Sequence, residues 1–353
     1  MMKEMKSRLA KKTKIALIGF GTVGQGVCEI LLSKENELKS KYGFEASIVA
    51  ISDVMKGTVY CADGLDIQQC LGLAKAGDNL ENYDGDCEKG WDSLRTIRET
   101  NADIVCELAF TDVKTGEPAI THCKAAFENG KHIVTSNKGP AALQYAALQK
   151  LAEKNNVKFM IEGTVMSGTP VLNLANGPLA GCTITAIKGI LNGTCNYMLC
   201  EMEKGMAYDD VLNKAQELGY AEADPTGDVE GFDAMAKVII LANVLMDNPI
   251  SAADVDRVGI AKITPEMMTE AKNENARWKL ISSIEKSGNE VKASVKPEKL
   301  SLTHPLASIM GATNALTFTT DLLGDITIVG AGAGKIETGY SILTDILAIH
   351  RKK

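Results

Sequence analysis

Between Tyr220 and Lys237 the chain reads YAEADPTGDVEGFDAMAK, in which Glu222, Asp224, Asp228, Glu230 and Asp233 follow one another without a base until Lys237 closes the stretch. Glu230, Asp233 and Lys237 are spaced by three and four, so on a helix they share one face. Asp228 stands where it would cap that helix. The VIILANVL that follows is apolar nearly all round, the mark of a buried helix. Charges at the start of such a helix serve either a capped, salt-bridged surface or the wall of a cleft. In a cleft, a lysine beside Asp233 and partly shielded from water exchanges a proton with a bound substrate. The carboxylates there grip an ammonium group.

A second group lies near the start. Gly19-Phe20-Gly21-Thr22-Val23-Gly24 follows an apolar run and opens a helical pattern. In this motif the first glycine permits a tight turn, the second lets backbone approach a pyrophosphate, and the third lets helix pack on strand. Free N–H groups and the positive dipole end at the helix start attract the phosphates. The bland reading is a glycine turn that only shapes the chain. Asp53, at the end of the next apolar run, stands where an acid holds a ribose 2′-hydroxyl, while nearby Lys56 is placed to meet a 2′-phosphate. Both also fit a solvated loop, so NAD and NADP stay open. Ser136-Asn137-Lys138-Gly139-Pro140 follows the run KHIVT. A lysine at the carboxyl end of a parallel strand lies where such sheets bind ligands. A surface lysine ahead of a helix with proline in its first turn is the other reading.

The elements that must position these residues alternate. TKIALIGF, FEASIVAISD, NADIVCELAF and KHIVTSN read as strands. GTVGQGVCEILLSKENEL, GEPAITHCKAAFENG and AALQYAALQKLAEKNN read as helices between them. That order predicts a parallel sheet flanked by helices. After VKFMIEGTVMSGTPVLN the texture changes. ITAIKGILNGTCNYML mixes strand and helix features around a glycine turn, and YDDVLNKAQELGY is an amphipathic helix. FDAMAKVIILANVLM is a more buried one, and alternating short runs between Ile281 and Leu302 suggest strands. GAGAGKIETGYSILTDILAI reads as a glycine-rich turn before a last helix. No internal repeat or low-complexity tract interrupts the chain.

With 353 residues, two domains are comfortable. Aromatics make up only 5% of the residues, so the cores should be aliphatic. The net charge of −7 argues against nucleic acid or an anionic membrane as the main partner. The apolar part of MMKEMKSRLAKKTKIALIGFG is short and ends in glycines, so it reads as a first strand and not as a signal peptide. Later apolar runs fall short of the roughly 18 residues expected of a spanning helix. Nine cysteines without CxxC spacing fit neither zinc nor a disulfide framework, and they suggest free thiols in a reducing cytoplasm.

GFGTVG, ELAFTDVKTGEPA, HIVTSNKGPAAL, EGTVMSGTPV, GILNGTCNYML, ELGYAEADPTGDVEGFDAMAK and the terminal GAGAG occur together and in order. On these pieces the chain resembles the homoserine dehydrogenase family over nearly its whole length. LNGT.NY and GYAEADPT.DVEG.DA..K are its most specific motifs. The resemblance implies an α/β protein with a Rossmann domain over 1–161 and 338–353, a dimerisation region over 162–174 and 290–337, and a catalytic α/β domain over 175–289. It implies NAD(P)-linked interconversion of L-homoserine and L-aspartate 4-semialdehyde in threonine, methionine and isoleucine biosynthesis, with a lean to NADP. By analogy Lys237 is the acid/base lysine, oriented by Asp233, and Lys138 lies between substrate and nicotinamide. Glu222, helped by Asp228, binds the substrate amino group, while Gly193 and Thr194 contact substrate. Gly334 joins Gly19–Gly24 and Asp53 on the coenzyme. The resemblance further implies a sodium ion on backbone carbonyls at Glu162, Val165, Ser167 and Thr169, and a cytoplasmic homodimer.

Cys195 stands where the family usually has threonine, and GYSIL replaces a run of smaller residues. The regulatory ACT domain of longer members is expected to be absent, and threonine feedback through it with it. Two rivals follow. A same-fold dehydrogenase could act on another small amino aldehyde or hydroxy amino acid, and a non-catalytic nucleotide sensor would have no need of Lys237.

Overall fold

The computed structural model describes residues 12–351 apart from 113, 247 and 289, so the reading of Met1–Lys11 lies outside the described residues. The chain folds as two compact units, Met1–Gly163 with Lys335–Lys353, and Thr164–Gly334.

In the first unit β1 (Thr13–Ile18), β2 (Ala46–Asp53), β3 (Gly57–Tyr60), β4 (Glu88–Lys89), β5 (Ile104–Glu107), β6 (His132–Thr135) and β7 (Phe159–Met160) form one sheet, ordered β4-β3-β2-β1-β5-β6-β7. β1, β2, β5, β6 and β7 are parallel, and β3 and β4 extend the β2 edge antiparallel. This is the predicted parallel sheet. Its central strands are apolar on both faces, because helices cover both sides. Ile15, Leu17, Ile48 and Ile51 are wholly buried, each contributing about 1.5–3 kcal/mol of transfer free energy.

The first helix, Thr22–Tyr42, ends at Gly43, whose φ of 61° favours a residue without a Cβ. The last helix, Lys335–Arg351, packs along it. Gly26 and Gly339 make that approach close: a Cβ on Gly26 would lie 2.3 Å from the Lys335 carbonyl oxygen.

Two expectations need correction in this unit. AALQYAALQKLAEKNN is not one helix. It divides into Lys138–Leu143 and Tyr145–Lys154, because Gln144 leaves helical geometry at φ −140°. Nor are all thiols free: Cys61 and Cys87 form a disulfide, with Cα atoms 4.9 Å apart. Pairing of Val59 with Lys89 and Tyr60 with Glu88 brings the two cysteines together, which their separation of 26 residues does not announce. The other cysteines are free.

In the second unit β8 (Ile184–Ile190), β9 (Val255–Arg257), β10 (Ala276–Ser287), β11 (Glu290–Ser301), β12 (Thr313–Thr320) and β13 (Gly324–Ala331) are ordered β13-β12-β8-β10-β11-β9. All pairs are antiparallel except β11 with β9. The alternating runs near Ile281–Leu302 are two 12-residue strands of one hairpin. Gly330 and Ala331 belong to β13, so the glycine-rich turn begins after them. Helix Phe232–Leu245 lies on β10 and β11, and its Val238, Ile240 and Leu241 are buried. No helix among the described residues is long and apolar enough to cross a membrane.

Candidate active site

In the second unit β8 ends at Ile190 and the chain turns through Leu191 and Asn192 into the helix Gly193–Glu203. Gly193 is required there, because a Cβ would lie 2.5 Å from the Ala312 carbonyl oxygen. Asn192 caps the helix, its side-chain oxygen accepting from the Cys195 amide at 2.8 Å. Its Nδ2 donates to Asp228 at 2.6 Å and to Asp233 at 3.0 Å. The Lys237 ammonium donates to Asp233 at 2.6 Å and to the Leu191 carbonyl at 2.6 Å. Lys237 is 6% exposed, so this pair works largely out of water, where its attraction is less screened. Asp228 completes the group. Its carboxyl is held above the usual carboxylate range, first by burial and then by the charge of Asp233, with the Asn192 amide pulling the other way.

Asp233 and Lys237 meet as their spacing predicts, but two neighbours do not behave as expected. Asp228 does not cap the helix that follows. It lies inside the short turn Thr226–Val229, and Gly231, at φ 80°, redirects the chain before Phe232. That turn also removes Glu230 from the shared face: its carboxylate stands 3.9 Å from Arg257, whose guanidinium stacks over Phe232. Glu222 lies on an exposed loop with its carbonyl accepting from Gln216 at 3.0 Å. The Thr194 hydroxyl donates to the Tyr220 carbonyl at 2.6 Å and so ties the NGT turn to the acidic segment. Cys195 is fully buried, its thiol donates to the Asp228 carbonyl at 3.2 Å, and burial pushes it well above its ordinary pKa.

In the first unit the three glycines of the turn differ in their surroundings. Gly19 sits at φ 100°, and a Cβ there would lie 2.4 Å from the Leu108 carbonyl oxygen. A Cβ on Gly24 would lie 2.6 Å from the Gly19 carbonyl oxygen. Gly21 has no atom within 4 Å of its Cβ position. Backbone sterics therefore require the first and third glycines, and the second leaves its face open to a ligand. No side chain caps the Thr22–Tyr42 helix and no acid stands in its first turn, which suits a phosphate. Phe20 is buried, whereas Thr22 is exposed and Val23 half-buried. Asp53 faces this turn: one carboxylate oxygen accepts from the Phe20 amide at 2.7 Å, the other from Met55 and Lys56 at 2.9 and 3.0 Å. Lys138 is half-buried at the start of its helix, directly after β6. Gly334, at φ 140°, precedes the last helix.

Around the implied sodium segment, Glu162, Val165 and Ser167 are buried, and the Thr169 hydroxyl donates to the Ala331 carbonyl at 3.0 Å. Met166 and Ser167 both take left-handed backbone, at φ 56° and 54°. Among the described residues no cluster of His, Cys, Asp or Glu could hold a metal.

Residue pattern alone misses Asn192, which joins both carboxylates, and Asn314, a fully buried amide with no hydrogen-bond partner. Asn192 carried a faint signal, an amide just ahead of a helix start; Asn314 carried none.

What the first unit offers a dinucleotide and the second offers a proton-exchanging substrate is the equipment of an NAD(P)-dependent oxidoreductase. Residues 19–162 match the family model described as homoserine dehydrogenase, NAD binding domain, and residues 170–347 match homoserine dehydrogenase. The chain is 44% identical over 339 residues to the NAD(+)-dependent homoserine dehydrogenase of Pseudomonas canavaninivorans, covering 96% of each. It is 41% identical to the homoserine dehydrogenase of Methanocaldococcus jannaschii, over 95% of this chain and 98% of that one. Its fold is similar to that of a hyperthermophilic archaeal homoserine dehydrogenase in complex with NADPH, with a TM-score of 0.83 at 31% identity, covering 97% of this chain and 98% of that one. The chain belongs to the homoserine dehydrogenase family.

Proposed function

We propose that this chain interconverts L-homoserine and L-aspartate 4-semialdehyde, serving the synthesis of threonine, methionine and isoleucine. The observation that carries the reading is the Lys237–Asp233 pair, 2.6 Å apart, braced by Asn192 and by the Leu191 carbonyl. When bound, the nicotinamide coenzyme supplies or accepts the hydride. Lys237 as the neutral amine takes the hydroxyl proton in oxidation, becoming the ammonium, and as the ammonium it gives that proton back in reduction, with Asp233 keeping it aimed. Glu222 and Asp228 hold the substrate amino group, and Gly193 and Thr194 line the same end. Lys138 stands by substrate and nicotinamide. Phe20, Gly21, Thr22, Val23 and Gly24 carry the pyrophosphate, with Gly19 shaping the turn and Gly334 contributing beyond it.

Cys195 keeps the rival substrates in play, but its thiol is spent on the Asp228 carbonyl, which speaks for homoserine. The resemblance leans to NADP. Asp53 argues the other way: a carboxylate beside the glycine turn suits a ribose 2′-hydroxyl and repels a 2′-phosphate. Assay of purified protein by nicotinamide absorbance, with L-homoserine and either coenzyme, tests substrate and coenzyme together. The expected result is turnover with homoserine, faster with NAD. No turnover with either coenzyme would end the reading, and an NADP preference would end the role given to Asp53.

Sodium and a dimer complete the proposal, as does a cytoplasmic setting, read from the seven cysteines that stay free beside the Cys61–Cys87 bridge. The consecutive left-handed residues Met166 and Ser167 turn a backbone loop of the kind that ligates through carbonyls. Val329 on the edge strand β13, with Leu322 and Leu323 before it, is an exposed apolar residue that a second copy would cover. Melting should rise in sodium over choline chloride at equal ionic strength, and light scattering should return twice the chain mass. Equal melting and a monomer mass would remove these two parts.

A further inference from the structure

We infer that Glu107, His122 and Asn137 form a positioning network that fixes the turn carrying Lys138. The inference rests on the role given to Lys138 above. Asn137 occupies the cap position of the helix Lys138–Leu143, and an asparagine there normally caps with its side chain. Here it makes no cap hydrogen bond. Its amide reaches back to donate to the Glu107 carboxylate and, at 2.8 Å, to the Ala109 carbonyl. Glu107 ends β5 and is wholly buried; its other carboxylate oxygen lies 3.1 Å from His122 Nδ1. Thr135, also wholly buried, donates its hydroxyl to the Glu107 carbonyl at 2.6 Å and accepts from the Asn137 backbone N–H at 2.9 Å.

A buried carboxylate costs stability unless its partners are well placed, so a chain needing only an apolar sheet end would not keep one here. The surrounding glycines press the same turn from two sides. A Cβ on Gly139 would lie 2.8 Å from the Gly116 Cα, and one on Gly163 would lie 2.8 Å from the Ser136 Cβ. Register adds the last link: Glu107 pairs with Ile18, and the Leu108 amide donates to the Ile18 carbonyl at 2.7 Å, directly before the glycine turn. The network therefore references Lys138 to the strand that opens the coenzyme cradle. Effects of this kind are large, because small misplacements of a reacting group cost rate steeply.

Asn137→Ser separates positioning from mere stability. Serine is a good cap, so the helix start is kept, but its side chain is too short to reach Glu107, which loses a partner at some cost in melting temperature. The expected result is a kcat at least about tenfold lower, with the coenzyme KM within about twofold. Asn137→Ala, which removes the tether without offering a cap, should lower kcat as much. In a Lys138→Ala background, Asn137→Ser should change kcat by less than about twofold, as expected of residues that act as one unit. A lower melting temperature with unchanged kcat, or independent losses in the double variant, would overturn the network. If Lys138→Ala alone left turnover intact, it is the role of Lys138 that would fall.

Discussion

Lys237→Ala lowers kcat by about 10²- to 10⁴-fold, while coenzyme affinity stays within about twofold. The lower bound follows from the usual worth of a positioned acid/base group, about 3 kcal/mol of transition-state stabilisation. Lys237 and Asp233 sit on adjacent turns of one helix, and the ammonium has a second fixed acceptor in the Leu191 carbonyl. That geometry leaves little rotamer freedom to lose when substrate binds. Coenzyme affinity is spared because the glycine turn and Asp53 belong to the other unit. Removing the lysine leaves Asp233 short of a cation, and breaking a buried pair costs up to about 3–5 kcal/mol. The Asp233 side chain is 23% exposed, so water recovers part of that. Stopped-flow or steady-state rates, read beside a melting curve, separate the two effects. A variant that melts early yet turns over normally would remove Lys237 from the chemistry.

How much of this was legible depends on the distance over which each feature acts. The parallel sheet was legible because its strands are short apolar runs, each followed by a helical pattern, and that period is a local property. Gly19, Gly21 and Gly24 were legible for the same reason, since all three act within one strand–turn–helix unit. The Asp233–Lys237 contact followed from a four-residue spacing. Glu230 shows where spacing fails. Three residues before Asp233 is the right interval only if the helix already runs, and Gly231 at φ 80° starts it later. Asn192 reaches Asp228 and Asp233 across 36 and 41 residues, and Glu107 reaches Asn137 across 30. Such partners are set by sheet order and register, which no local pattern encodes. The Cys61–Cys87 bridge escaped for the same reason: it needs the β3–β4 pairing to exist first.

The three glycines of the turn give the other large expected effect. Gly21→Val should raise the coenzyme Kd at least about tenfold, with the fold retained. Gly21 has φ −77°, outside the left-handed region that favours glycine, and its Cβ position meets no protein atom. The substitution costs only a poorer helix cap, about 1 kcal/mol, or a melting shift of roughly 2–4 °C. Its branched side chain stands instead where a pyrophosphate would approach the free N–H groups. Gly19→Ala is the contrast. At φ 100°, with the Leu108 carbonyl oxygen 2.4 Å from the new Cβ, it must distort the carboxyl end of the β1–β5 pair, so it melts early whatever the coenzyme does. Calorimetric titration of the coenzyme against both variants, beside their melting curves, reads the difference. If Gly21→Val bound coenzyme as tightly as the parent chain, the open face of the second glycine would be a structural accident and the cradle would lie elsewhere.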